Sequence, residues 1–131
     1  MKYKIRLGIP DFESYFNNLV DLAQKKKINK DDARLLKQIL KVMGFLSENP
    51  KHNSLNSHEI KELSERYSKL FGRKCKVWQS YLENNTPSAG RIYWIYGPGK
   101  EDITIIGLEP HPEDKKSSGY DKVSLSNLPP L

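Results

Sequence analysis

The stretch that most constrains the fold runs from Arg91 to His111, RIYWIYGPGKEDITIIGLEPH. Residues 92–96 (Ile, Tyr, Trp, Ile, Tyr) and 103–108 (Ile, Thr, Ile, Ile, Gly, Leu) are β-branched and aromatic, which favours strands. Between them Gly97-Pro98-Gly99-Lys100-Glu101-Asp102 is a run of turn formers. Both flanks are too apolar for a hairpin with one wet face, so this one belongs at the centre of a sheet that packs against helices. With the turn centred near Gly99 and Lys100, antiparallel pairing sets Arg91 almost opposite Glu109, and His111 one diagonal step away. A period of two then lets the three share one face. A one-residue change of register would move Arg91 to the other face.

The rest of the chain supplies the helices. Lys2 to Ile9 alternates Tyr3, Ile5, Leu7 and Ile9 against Lys2, Lys4 and Arg6, a half-buried strand with one basic face. Pro10-Asp11 opens a helix, with Asp11 as the expected cap. Phe12, Tyr15, Phe16, Leu19, Leu22 and Ala23 form its apolar stripe, and Lys25-Lys26-Lys27 closes it. Asn29 caps a second helix with the stripe Leu35, Leu36, Ile39, Leu40, Met43 and Leu46, ended by Asn49-Pro50. The short connection makes the two an antiparallel pair. Ser57 is the expected cap of a third helix carrying Ile60, Leu63, Tyr67 and Leu70 and ended by Gly72, although part of 55–62 also reads as extended. Residues 77–82 form a strand behind the basic cluster Arg73-Lys74-Cys75-Lys76, and 84–90 form a loop. Pro110-His111-Pro112 is a rigid corner, 113–119 is polar, Tyr120 to Leu125 reads as a short last strand, and 129–131 is a tail.

This order describes an α+β fold: an N-terminal strand and a long α-helical hairpin, then a mostly antiparallel sheet, with the helices segregated from the sheet. At 131 residues the chain makes one domain, 1–131, with 113–131 partly loop or tail. No apolar run approaches the roughly 20 residues of a membrane span, and the N-terminus has no apolar signal core. Cys75 is the only cysteine, which excludes an internal disulfide and a multi-Cys zinc site. His52, His58 and His111 lack metal-ligand spacing, so no metal and no cofactor is expected. A cytoplasmic protein is the simplest fit. Lys and Arg outnumber Asp and Glu by 22 to 16, and the pI is near 9.3, which favours a polyanionic partner.

The segment KVWQSYLENNTPSAGRIYWIYGPGKEDITIIGLEPHP, at residues 76–112, resembles the part of RelE-like mRNA interferases in which a strand-opening Arg is followed by a hairpin and a terminal His or Arg. The strand, helical hairpin and sheet over residues 1–125 likewise resemble the layout of the RelE/ParE superfamily of bacterial toxins. The resemblance implies the toxin of a type II toxin-antitoxin system: a small endoribonuclease that cuts mRNA at the ribosome without metal and is inhibited by a cognate antitoxin. It puts the strand-opening Arg at Arg91 and the strand-ending residue at His111. Lys74, Lys76 and Arg73 become the basic residues of the preceding strand, and Tyr120 the tyrosine near the C-terminus. The chain departs from the pattern in the prolines around His111 and in the helical insert at 57–71.

Metal-free RNA cleavage needs a base for the 2′-OH, an acid for the leaving 5′-oxygen and cations for the charge developing on phosphorus. His111 has the right ordinary pKa for acid or base work; the plainer reading is a corner histidine bonded to a backbone carbonyl. Arg91 suits a bidentate phosphate clamp, or an ion pair with Glu109 across the strands. Lys74 and Lys76 share one face of a strand and suit phosphate contacts, or simply a solvated basic edge. Trp78, Tyr93, Trp94 and Tyr96 are mostly core, with base stacking as the alternative. Two other functions remain open: a ParE-like gyrase inhibitor without nuclease activity, and a basic protein- or RNA-binding module without toxicity. Lys74 and Lys76 buried in ion pairs, or Arg91 and His111 on opposite faces, would favour the gyrase inhibitor.

Overall fold

The computed structural model describes residues 2–72, 74–83, 90–109 and 125–129, the side chain of Phe71 excepted. Strand β1 (Lys4–Leu7) leads into helices α1 (Asp11–Gln24) and α2 (Lys30–Glu48). A two-residue strand β2 (His58–Glu59) and helix α3 (Lys61–Phe71) precede strands β3 (Trp78–Tyr81), β4 (Arg91–Tyr96) and β5 (Asp102–Glu109). The fold is α+β, built on one five-stranded sheet in the order β1-β5-β4-β3-β2. The β4–β5 hairpin lies inside the sheet, where its two apolar flanks can both be covered. Its neighbour on one side is β1, parallel to β5; the remaining pairs are antiparallel.

The helical hairpin forms close to the expected boundaries. Asn29 accepts a hydrogen bond from the Asp32 backbone N–H at 2.7 Å and caps α2. At α1 the cap position is Pro10, one residue before the expected Asp11, and no side chain caps it. The Phe12 N–H, left over by the first turn, donates instead to Ser126 Oγ at 2.9 Å. In α2 the buried residues are Leu35, Leu36, Ile39, Val42 and Leu46. Leu40, expected in this stripe, is 50% exposed. One residue past Ile39 turns about 100° off the core face, whereas Val42 at i+3 returns to it.

The third helix differs more. Ile60, not Ser57, stands at its cap, and His58–Glu59 pair with β3 as an edge strand. Ser57 Oγ donates to the Pro50 carbonyl and lies 2.7 Å from Ser80 Oγ. Gly72 ends α3 at φ 64°, the left-handed position that glycine takes without steric cost. Leu70 is 70% exposed and does not belong to the buried stripe.

Helices cover both faces of the sheet. Leu19, Leu35, Ile39, Val42 and Leu46 of the helical hairpin pack on Ile92, Trp94, Ile103 and Ile105. On the opposite face Ile60, Leu63 and Tyr67 pack on Val77, Tyr93, Ile95 and Ile106. Odd and even residues of β4 therefore serve two cores, which is why RIYWIY has no polar face.

Residues 125–129 tie these layers together. Ser126 N–H donates to the Ile106 carbonyl at 2.6 Å, and Asn127 makes an isolated antiparallel bridge to Ile9. Gly8 is needed at this crossing, because a Cβ there would lie 2.7 Å from Ser126 Cβ and 2.8 Å from the Ile105 carbonyl oxygen. The expected strand at 120–125 falls almost wholly outside the described residues.

The Tyr67 hydroxyl donates to the Ser126 carbonyl at 2.6 Å, and burial, with Cys75 as a lesser contribution, pushes its phenol up to about 12. The folded state keeps this proton at pH values where the unfolded chain, with its ordinary value near 10, has lost it. The contribution is therefore complete below the unfolded value and declines as pH rises towards the folded one. Thermal melts from pH 9 to 12 should fall more steeply for the parent than for Tyr67→Phe; parallel curves would contradict this assignment.

Candidate functional site at the open end of the hairpin

The Gly97–Asp102 turn closes one end of the hairpin. Gly97, at φ 125°, donates its N–H to the Asp102 carbonyl at 2.9 Å, and Thr104 Oγ1 donates to the Gly97 carbonyl at 2.7 Å. Near the turn Tyr96 pairs with Ile103 and Trp94 with Ile105. At the open end Tyr93 pairs with Gly107 and Arg91 with Glu109, so the register shifts by one between Tyr93 and Trp94. The extra residue is Ile106, whose side chain enters the α3-side core and whose carbonyl is held by Ser126. This bulge decides the site. Continued unbroken, the turn-end register would pair Arg91 with Leu108 and put Glu109 on the opposite face.

The open end carries a polar group on the α3 side of the sheet. Tyr81, Arg91 and Glu109 are aligned on β3, β4 and β5; one step inward, His58, Gln79 and Tyr93 are aligned on β2, β3 and β4. Opposite Tyr93 stands Gly107, with no side chain to block it, and the Tyr93 hydroxyl donates to Glu109 Oε1. Arg91 is half-buried, and its Nε is buried with no hydrogen-bond partner among the described residues. An Arg91–Glu109 ion pair is not among the described contacts. An orphaned donor on a guanidinium is costly, and because the Arg91 side chain as a whole is only half-buried it can still meet an anion at this end. His58 Nε2 lies 3.3 Å from Gln79 Nε2 and its Nδ1 lies 3.1 Å from the Asn56 carbonyl. The neutral Nδ1–H tautomer satisfies both contacts.

Lys74 and Lys76 are at the other end. They precede β3 rather than lying in it, and both are exposed while Cys75 and Val77 between and beside them are buried. Lys76 is five residues before Tyr81, the partner of Arg91, which separates the two cations by roughly 17 Å along the strand. The expected grouping of Arg91 with Lys74 and Lys76 around one phosphate is therefore not formed. The two lysines line a cleft of about 510 Å³ with Trp78, Ile95, Tyr96, Gly97 and Pro98. Neither has an ion pair among the described residues. Tyr96 is 40% exposed here, and Trp78 and Trp94 are stacked behind it with centroids 5.8 Å apart. Burial, and secondarily Tyr3, raises the Tyr96 phenol above its ordinary value.

Arg73, His111 and Tyr120 lie outside the described residues. The sequence does not single out Tyr81, Gln79 or His58 for this site, and it offers Glu109 only as a partner of Arg91 and Tyr93 only as core or a stacking ring. Gly107 inside an apolar strand was the available signal, since such a glycine marks a bulge or a close approach. Among the described residues no group of three His, Cys, Asp or Glu side chains could hold a metal ion, and no helix is long and apolar enough to cross a membrane. No family model, no curated protein and no solved structure matches the chain.

Proposed function

We propose that the protein is a RelE/ParE-like toxin, a metal-independent endoribonuclease that cleaves mRNA at the ribosome and is held inactive by a cognate antitoxin. The observation that carries this reading is the half-buried Arg91 at the open end of the hairpin, in register with Glu109. A phosphodiester at this end would engage Arg91 on a non-bridging oxygen. The attacking 2′-oxygen gives its proton to Glu109 as it bonds to phosphorus, and the departing 5′-oxygen takes a proton from His111. The products are a 2′,3′-cyclic phosphate and a 5′-hydroxyl. The role of His111, two residues beyond Glu109, rests on the family resemblance, as does the orienting role of Tyr120. Lys74 and Lys76, with Arg73 beside them in sequence, hold flanking phosphates rather than the scissile one, because the sheet keeps them apart from Arg91.

The direct test incubates the purified protein with single-stranded RNA in excess chelator and analyses the fragment ends. The expected result is cleavage with cyclic phosphate ends, together with growth arrest and mRNA fragmentation on induced expression in a bacterial host. Growth arrest with intact mRNA would point to the gyrase-inhibitor reading. No arrest and no cleavage would leave a binding module.

A further inference from the structure

A second concavity lies beside the same end of the sheet. It has a volume of about 430 Å³ and is lined by α2, the segment around Ser54 and Leu55, and Tyr81, Leu82 and Glu83 at the end of β3. That size is in the range of small-ligand sites. Arg34, Lys37 and Lys41 stand on one wall and are exposed. Their spacing, with Lys30 before them, returns to one face of α2. The floor is apolar, from Val42, Leu55 and Leu82.

Two features separate this groove from an ordinary charged helix face. Phe45, in its lining, is stacked on His52 with centroids 4.4 Å apart, and Lys41 Nζ lies 5.9 Å from the Phe45 ring centre. Its acidic group is also already engaged. Glu83 Oε1 accepts from Gln38 Nε2 at 2.5 Å and from Arg34 at 3.4 Å. That leaves Lys37 and Lys41 as the cations without an ion pair among the described residues. An aromatic platform beside cations is the arrangement that binds single-stranded nucleic acid, with the base stacked and the backbone neutralised. Tyr81 borders the groove from the end of β3, but its ring lies beside His58 and it shares the α3 side with Arg91, so the groove and Arg91 lie on opposite faces of the same end of the sheet.

We infer that this groove is a nucleotide subsite for single-stranded RNA, taking a base against Phe45 and backbone phosphates on Lys37 and Lys41. The inference rests on the reading of the protein as a ribonuclease, and a test by binding separates the two.

The probe is a fluorescently labelled single-stranded RNA of eight nucleotides, carrying 2′-deoxy substitutions so that it cannot be cleaved. Its affinity is measured across a salt series for the full chain, Lys37→Glu/Lys41→Glu, Phe45→Ala and Arg91→Ala. The double variant should bind at least tenfold more weakly. Loss of two phosphate contacts should also flatten the slope of log affinity against log salt by about 1.4, a change that a structural defect would not imitate. Phe45→Ala should weaken binding with the slope unchanged. Parent-like affinity and slope in the double variant would overturn the subsite and leave ribonuclease activity standing. Polyglutamate displacing the RNA from the parent, but not from the double variant, would assign the groove to an acidic protein segment and overturn the nucleotide subsite. Full RNA binding that depends on Lys37 and Lys41, with no cleavage of ordinary RNA by the parent, would sustain the subsite and reject the catalytic reading.

Discussion

Arg91→Ala is expected to lower RNA cleavage by about 10²–10³-fold, the loss typical of removing one preorganised donor to a developing oxyanion, roughly 3–4 kcal/mol of transition-state stabilisation. Arg91 sits where β4 begins, its backbone held in register with Tyr81 and Glu109 by ladders on both sides, which under the proposed ribonuclease function leaves little to reorganise. Arg91→Lys should recover little, because a single ammonium cannot reproduce the two-point geometry of the guanidinium. The measurement is single-turnover cleavage of a short RNA, beside a thermal melt to show that the sheet is intact. Lys76→Ala is the companion variant. Its site is roughly 17 Å away along the strand, so it should weaken RNA binding and leave the saturating rate nearly unchanged. Equal losses of rate in the two variants would sink the division between cleavage end and binding end.

Trp94→Ala should cost about 3–5 kcal/mol of stability, the usual range for truncating a buried large aromatic. Trp94 is 1% exposed and belongs to the core under the helical hairpin. Its indole N–H donates to Ser80 Oγ at 2.8 Å, and Ser80 Oγ in turn lies 2.7 Å from Ser57 Oγ, which donates to the Pro50 carbonyl. The truncation therefore opens a cavity beneath the helices and removes the donor that heads a chain of hydroxyls. It also unstacks Trp78 and removes an edge contact to Tyr96. Against the roughly 5–15 kcal/mol of total stability usual for a folded domain, such a loss is a large fraction of the whole. Equilibrium denaturation is the measurement. Trp94→Phe, which keeps most of the ring and loses the donor, should cost about 1–3 kcal/mol. A loss below about 1 kcal/mol for Trp94→Ala would mean that the ring is not the packing centre described.

The two routes to these residues differ in how much the sequence could show. The hairpin, the helix pair and the Asn29 cap were legible because each follows from nearby residues: a period of two, a stripe at helical spacing, a side chain three residues from the N–H that it receives. The pairing of Arg91 with Glu109 was also legible, though for an incomplete reason. Counting back from the turn reaches it only when one residue is looped out, and that residue is Ile106. The third helix was displaced because residues 58–59 gain more by pairing with β3 than by extending α3 to Ser57. Leu40 and Leu70 were assigned to apolar stripes by residue type, yet a stripe is buried only where another element covers it.

The sequence by itself determined the apolar character of both faces of the central hairpin, the approximate boundaries of the helical hairpin and the basic balance that favours a polyanion. Those properties are set by local periodicity and by side-chain chemistry, which need no partner to be defined. Only the tertiary structure decided which cations share a site. Lys74 and Lys76 are fifteen or more positions from Arg91 in the chain, and no local rule reports whether antiparallel pairing brings them to the same end of a sheet. The register places Tyr81 opposite Arg91 and leaves the lysines beyond the other end. It also puts Lys37 and Lys41 of α2 beside Tyr81, across a groove that forms only when helix and sheet are packed together. Proximity between distant segments is a property of the packed chain, and it is there that the chemistry of this protein is assembled.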